Sequence, residues 1–429
     1  MTIMSKSFRL LTISVSVLGI AFVVQLLLTL AGNPSPNNDP FPPVERNIDY
    51  FWGWIWAYAL CVVVLLLPLE RREKLTLLLL WVVKILVALG AMLVYEAAYG
   101  IDSWAYFHQA NTGNEYIPVD SFGRNTSVIR VIELLLTIQP ASFHATKISL
   151  AFIGLIAIYT LYKAMTLYLG RRDLRLLVFL GVFPSILFWS SILGKEPLNL
   201  LGVALYSLGC VGLLKNGRLL YLIPLVAGIA LATWVRSWNV FLMVLPLLVV
   251  LSFSRQHRAM GLFMLVAMAL LGVSFYSQVS QLVTGFAELS LQEIFFSVDT
   301  VGRAFADAGS SIGPPPNLDS AQAILLHIPY AVVAMLFRPL PGEVMNPFGL
   351  LAGLENLLVI YLLARAAAAF TWSKVDPTIC WATLYVLLWA ALHGMVLQNF
   401  GTSVRFRLQI MPLMLATLAY LAYFKPEKR

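Results

Sequence analysis

The chain has 429 residues, 60% of them hydrophobic and only 12% charged, with a mean hydropathy of +0.82. Soluble domains carry about 25% charged residues, so this composition excludes one and points to a chain that resides in a bilayer. The net charge of +8 sits in short basic clusters between apolar runs, a signal of membrane orientation rather than of a nucleic-acid-binding face.

The predicted fold class is all-α, a polytopic transmembrane helix bundle in one integral membrane domain over 1–429. Apolar stretches of roughly 18–23 residues recur along the chain, each able to cross a ~30 Å hydrocarbon core, which gives about twelve spans. They fall near 10–31, 51–69, 75–95, 146–168, 176–193, 197–214, 219–235, 239–253, 259–277, 348–370, 377–397 and 407–423. The first follows a basic start with no small-residue cleavage site, so it reads as retained and forms a hairpin, 10–69, with the second. Cys61, Cys210 and Cys380 all lie in apolar runs and imply no disulfide framework. The connections "ERREK" (70–74), "GRRDLR" (170–175), "KNGR" (215–218), "SRQHR" (254–258) and "SK" (373–374), with the tail "KPEKR", are basic. The positive-inside rule then puts both termini in the cytoplasm.

The other side is organised differently. It carries a Pro/Asn-rich loop (32–50) and two long segments, 96–145 and 278–347. Within them "SVIRVIELLLTI" (127–138), "VSQLVTGFAELSLQEIFFSV" (279–298) and "AILLHIPYAVVAMLF" (323–337) are too short or too amphipathic to span. Such runs read as helices lying in the interface or re-entrant into it. No internal repeat is visible.

Candidate site residues concentrate on this outer side. In "YEAAYGIDSWAYFHQA" Asp102 follows the third span, with Trp104, Tyr106 and His108 close by. A carboxylate among aromatics suits general-base work on a sugar hydroxyl, because rings stack on sugar faces. The same residues also fit an interfacial aromatic belt with Asp102 as a helix N-cap. Glu96 and Glu115 are fallback acids. In "FRPLPGEVMNPFG" (337–349) prolines fix an irregular path, which is tolerated at membrane depth where it lines a cavity, so Arg338 and Glu343 are site candidates. An ordinary structural loop is the other reading.

Cations placed against the topological rule suggest anion recognition: Lys195 beside Glu196 in "LGKEP", Arg236 in "WVRSW", and Arg405 with Arg407 in "VRFRLQ". The spacing of the last two sends them to different helix faces, one to hold a diphosphate and one to anchor at the interface. Lys195 and Glu196 could equally pair in a charged hairpin turn, and each arginine could be an interfacial anchor. Glu355 lies within a span, with Lys84 as a partner by charge alone. There is no Walker loop, Rossmann glycine pattern, HExxH or Cys/His metal set, so neither a metal nor another cofactor is expected.

The many-span chain, the acid opening a long outer loop and the outward arginines resemble the membrane-embedded glycosyltransferases of the GT-C superfamily. They also resemble the bacterial O-antigen and exopolysaccharide polymerases, whose Arg-x10-Gly pattern is met by Arg338 and Gly349. The strings "GKE", "RPLPGE" and "RFR" are similar to those of polysaccharide-assembly membrane proteins. Ser103 stands where the GT-C pattern often has a second acid. The resemblance implies a catalytic base at Asp102 and a polyprenyl-diphosphate-linked glycan as donor, and Glu343, from the proline-rich loop, stands beside Asp102 as a catalytic candidate. It implies the bacterial inner membrane as location, with the bilayer, the lipid-linked oligosaccharide and other assembly proteins as partners, and no nucleic acid. A lipid-linked glycan flippase or other transporter is the rival, for which Lys84 and Glu355 speak.

Overall fold

The computed structural model describes residues 46–99, 102–114, 125–253, 316–318, 320–396 and 399–424. The expected spans at 10–31 and 259–277 and the interfacial run at 279–298 lie outside these residues. Every regular element described is helical. In chain order these are α1 (Arg46–Leu66), α2 (Arg71–Leu86), a π-helical turn (Val87–Ala91), α3 (Met92–Ala98), α4 (Ser103–Thr112) and α5 (Thr126–Leu136). There follow α6 (Phe143–Leu169), α7 (Leu174–Val182), α8 (Pro184–Trp189), α9 (Lys195–Asn216), α10 (Leu222–Val235) and α11 (Asn239–Phe253). The last are α12 (Ala321–Phe337), α13 (Pro347–Ala368), α14 (Pro377–Val396), α15 (Phe400–Arg407) and α16 (Met411–Tyr423).

Among the described residues, 6 helices are long and apolar enough to cross a membrane: Ile48–Leu66, Arg71–Ala98, Phe143–Leu169, Lys195–Asn216, Pro347–Ala368 and Pro377–Val396. The pair α15 and α16 makes a seventh only as a broken span, bent by 67°. This is a membrane protein, but four of the expected spans differ in form. The run 176–193 breaks between α7 and α8, where Pro184 has no amide hydrogen to continue the ladder and starts a new helix instead. The run 407–423 breaks ahead of Pro412 for the same reason. The runs 219–235 and 239–253 come out as apolar helices shorter than a full crossing.

The chain forms two compact units: one of Met1–Pro118, Val128–Phe152 and Ser191–Gly194, the other of Val119–Ser127, Ile153–Ser190 and Lys195–Arg429. In the first, buried polar groups are tied off in pairs. The Asp49 carboxylate accepts from the amides of Phe143 (2.9 Å) and His144 (3.3 Å), which satisfies the open donors that start α6. Lys147 and Glu96, both buried, meet at 2.5 Å, and Lys84 donates to Ser191 Oγ at 3.0 Å. The amphipathic α5 buries Val128, Ile129 and Ile132 within the protein and leaves Arg130 exposed, 3.5 Å from Glu133.

In the second unit, α9 and α10 pack antiparallel through small residues. A Cβ built on Gly202 would stand 2.8 Å from the Ala232 amide nitrogen, and one on Gly209 would stand 2.6 Å from the Leu225 backbone. Lipid tails are as apolar as the helices, so close backbone approach, not hydrophobicity, holds such pairs together. α14 packs against α11, α12 and α16, and α13 against α16. One end of the unit collects cations: Arg171 lies over the Phe424 ring, Lys215 over Tyr168, Arg365 over Tyr423, and Lys374 donates to the Leu421 carbonyl. These belong to three of the basic connections and one helix end.

The glycine seam yields a direct expectation. Gly209→Leu should destabilise the solubilised protein by about 1–3 kcal/mol through overpacking, read as a lower melting temperature. An unchanged melt would show that α9 and α10 do not touch at that level.

Candidate functional site: a shared carboxylate

The glycine seam has a consequence at its end. It brings the first turn of α9 beside the last residue of α10, and so sets Glu196 against Arg236. Arg236 caps α10 in an extended conformation, and its guanidinium donates to Glu196 Oε1 at 3.1 Å. A second guanidinium arrives from α15: Arg405 donates Nε to Oε1 at 2.8 Å and Nη2 to Oε2 at 3.0 Å. That is the two-pronged fork geometry suited to a carboxylate. Glu196 is 2% exposed, Arg236 6% and Arg405 24%, so Arg405 is the group nearest to solvent or ligand.

Aromatic rings surround the charges. Phe406 lies 3.7 Å beneath the Arg236 guanidinium, and the Trp189 ring centre is 5.9 Å from Arg405. One turn further along α9, Asn199 accepts from Asn239, the first residue of α11, at 2.8 Å. Two positive groups share one negative group here, and half-buried Lys195 adjoins it in sequence. Glu196 is therefore a receptor for two arginines rather than the partner of Lys195 in a turn.

A second network lies at the other face of α15. Arg407, 1% exposed, donates to the carbonyls of Leu336 (3.1 Å) and Arg338 and to Asn356 Oδ1 (2.5 Å). Asn356 in turn donates to the Pro339 carbonyl at 2.7 Å. Arg407 is thus a fastener of the "RPLPGE" loop, not an interfacial anchor, while its separation from Arg405 follows the helical period. Arg338 pairs with Glu343 at 2.5 Å and donates to Tyr330 Oη, and Glu343 also accepts the Leu340 amide at 2.6 Å. Burial pushes the Glu343 carboxyl up, but the hydrogen bonds from Arg338 and Leu340 and the Arg338 charge outweigh it and leave the group below its ordinary value. Engaged by those donors, Glu343 is a poor candidate for a base. Glu355 accepts the Ser185 amide at 2.5 Å, so it too has a partner other than the one expected.

In the first unit, Asp102 is exposed at the start of α4 and makes no cap bond from its side chain. Tyr106 Oη donates to its Oδ2 at 3.4 Å, and it forms no ion pair among the described residues. The sugar-stacking roles need correction. Tyr106 is 3% exposed, and Trp104 stacks flat on Phe143 with ring centres 3.7 Å apart, so one of its faces is taken. His108 is half-buried. Glu96 is committed to Lys147, and Glu115 lies outside the described residues.

Sequence reasoning missed Trp189, Phe406, Asn199, Asn239 and Asn356. For the asparagines a signal existed: a polar amide inside an apolar helix demands a partner. No protein-family model, curated protein or solved structure matches this chain.

Two outcomes are expected. Glu196→Gln leaves the Arg236 charge buried without its counter-ion and should cost about 3–5 kcal/mol, measured as a fall in detergent melting temperature. Replacing Arg236 by Met in the same chain should recover part of that loss. For the loop, Glu343 has a depressed folded value, so its contribution is complete above the ordinary 4.5 and disappears as pH falls through the folded value. Glu343→Gln should therefore flatten the melting-temperature profile below that pH and lower it above, by under about 1 kcal/mol because the pair is partly screened by solvent.

Proposed function

We propose that this protein is a glycosyltransferase or polysaccharide polymerase of the GT-C kind, acting at the periplasmic face of a bacterial inner membrane on polyprenyl-diphosphate-linked glycans. The observation that carries the reading is the Glu196 cluster, in which two guanidiniums share one carboxylate inside an apolar bundle. Guanidiniums gathered in an apolar bundle are suited to a diphosphate, and Arg405, more exposed than Arg236, is the prong through which one would bind.

In the transfer, an acceptor hydroxyl oxygen bonds to the anomeric carbon of the donor sugar. The bond from that carbon to the phosphate oxygen breaks, and the diphosphate leaves with the electron pair. Cationic contacts that strengthen as this charge develops lower the barrier. The acceptor proton goes to Asp102, an assignment that rests on its exposed carboxylate and is independent of the arginine cluster. The basic connections lie in the cytoplasm together with both termini. The partners are the bilayer, the lipid-linked oligosaccharide and other polysaccharide-assembly proteins, with no cofactor.

A lipid-linked glycan flippase is the second reading. It is favoured by the helices broken at Pro184 and before Pro412, since discontinuous helices recur in transporters.

Proteoliposomes containing the full chain and a polyprenyl-diphosphate oligosaccharide separate the two. A transferase should give a longer glycan and free polyprenyl diphosphate, whereas a flippase moves the substrate unchanged across the bilayer. Asp102→Asn should abolish elongation in folded protein, and Arg405→Lys should lower it roughly 10- to 150-fold, as loss of a desolvated charged contact implies. Normal elongation by Asp102→Asn would remove that residue from the chemistry.

A further inference from the structure

The second unit contains a cavity of about 90 Å³ between α6, α7, α9, α14 and α16. Its walls are almost wholly apolar, from Leu161 and Phe179 to Trp381 and Ala416, and include the rings of Tyr168 and Phe424. A cation stands on each of those two rings: Lys215 Nζ is 4.9 Å from the Tyr168 centre, and the Arg171 guanidinium is 4.8 Å from that of Phe424. Both cations are exposed, and Arg172 follows Arg171 on the surface. Asp376 lies 3.9 Å from Lys215, and Asp173, bound by Arg175 at 2.7 Å, lies two residues from Arg171, so Arg171 and Lys215 face these two carboxylates at the rim.

The place is separate from the Glu196 cluster. Lys215 and Glu196 stand at opposite ends of α9, roughly 28 Å apart at 1.5 Å per residue.

We propose that this cavity holds an acyl chain of an anionic glycerophospholipid, whose headgroup phosphate meets Arg171 and Lys215. An apolar slot with cations at its rim has the two-part chemistry of such a lipid, and basic pockets between membrane helices recognise anionic headgroups. A free phosphate satisfies only the rim, and a zwitterionic lipid fills the slot but brings its own cation to a basic rim.

The test uses the full chain purified in detergent, with retained lipid counted by native mass spectrometry after addition of phosphatidylglycerol or phosphatidylcholine. The wild type should retain phosphatidylglycerol about thirtyfold more strongly, since two cations near a lipid surface each contribute about fivefold. The double variant Arg171→Gln/Lys215→Gln, altered only at exposed positions, should lose that preference while still taking up either lipid weakly. Ala416→Phe, which fills the slot, should reduce retention of both lipids.

Equal retention of the two lipids by the wild type would overturn the proposal. So would release of phosphatidylglycerol by millimolar inorganic phosphate, which would mark a headgroup site alone. Undiminished retention by a folded Ala416→Phe variant would show that no chain enters the cavity. Displacement of phosphatidylglycerol by an equimolar polyprenyl phosphate would reassign the slot to the isoprenoid and overturn it likewise.

Discussion

A carboxylate buried in an apolar helix bundle must be neutralised where it stands, and the second unit is arranged around that constraint. Desolvating an ion costs several kcal/mol, recovered only when geometry and hydrogen bonds are both good. Glu196 meets the condition with donors on both oxygens, supplied by a helix end and by the short helix α15. Each donor depends on something further back. Arg236 is in place because glycines let α9 and α10 run close together. Arg405 is in place because α15 starts at Asn399, whose side chain accepts the Thr402 amide, and stops short of Pro412. The cluster is therefore a junction of packing and electrostatics.

The first unit solves a similar problem with different results. Asp49 spends its oxygens on the amides that open α6, and Glu96 meets Lys147 one to one. Those charges close on themselves. Asp102 is exposed and has neither a cap bond nor an ion pair among the described residues, and this gives it the role of base in the proposed reaction.

Much of this was legible in the sequence, for definite reasons. Bilayer residence follows from composition, and the spans at α6, α9, α13 and α14 from uninterrupted apolar length. Opposite fates for Arg405 and Arg407 follow from the helical period. The breaks at Pro184 and before Pro412 were blurred because averaging over an apolar window hides one missing amide. The pairing of Glu196 with Arg236 spans forty positions, and its register is set by which glycine meets which backbone, a matter of packing rather than pattern. The aromatic residues after Asp102 misled for a related reason. Type and spacing do not say whether a ring faces a ligand or, as with Trp104, a neighbouring phenylalanine.

One short helix has a mechanical meaning. α15 is eight residues long, anchored on one side through Arg405 to Glu196 and on the other through Arg407 to the loop after α12. Two residues apart on a helix point about 200° from one another, so the two arginines act as opposite arms of a beam pivoted on the helix axis. The eight residues of α15 thus join the Glu196 carboxylate on α9 to the irregular loop that begins at Arg338, two elements far apart in sequence.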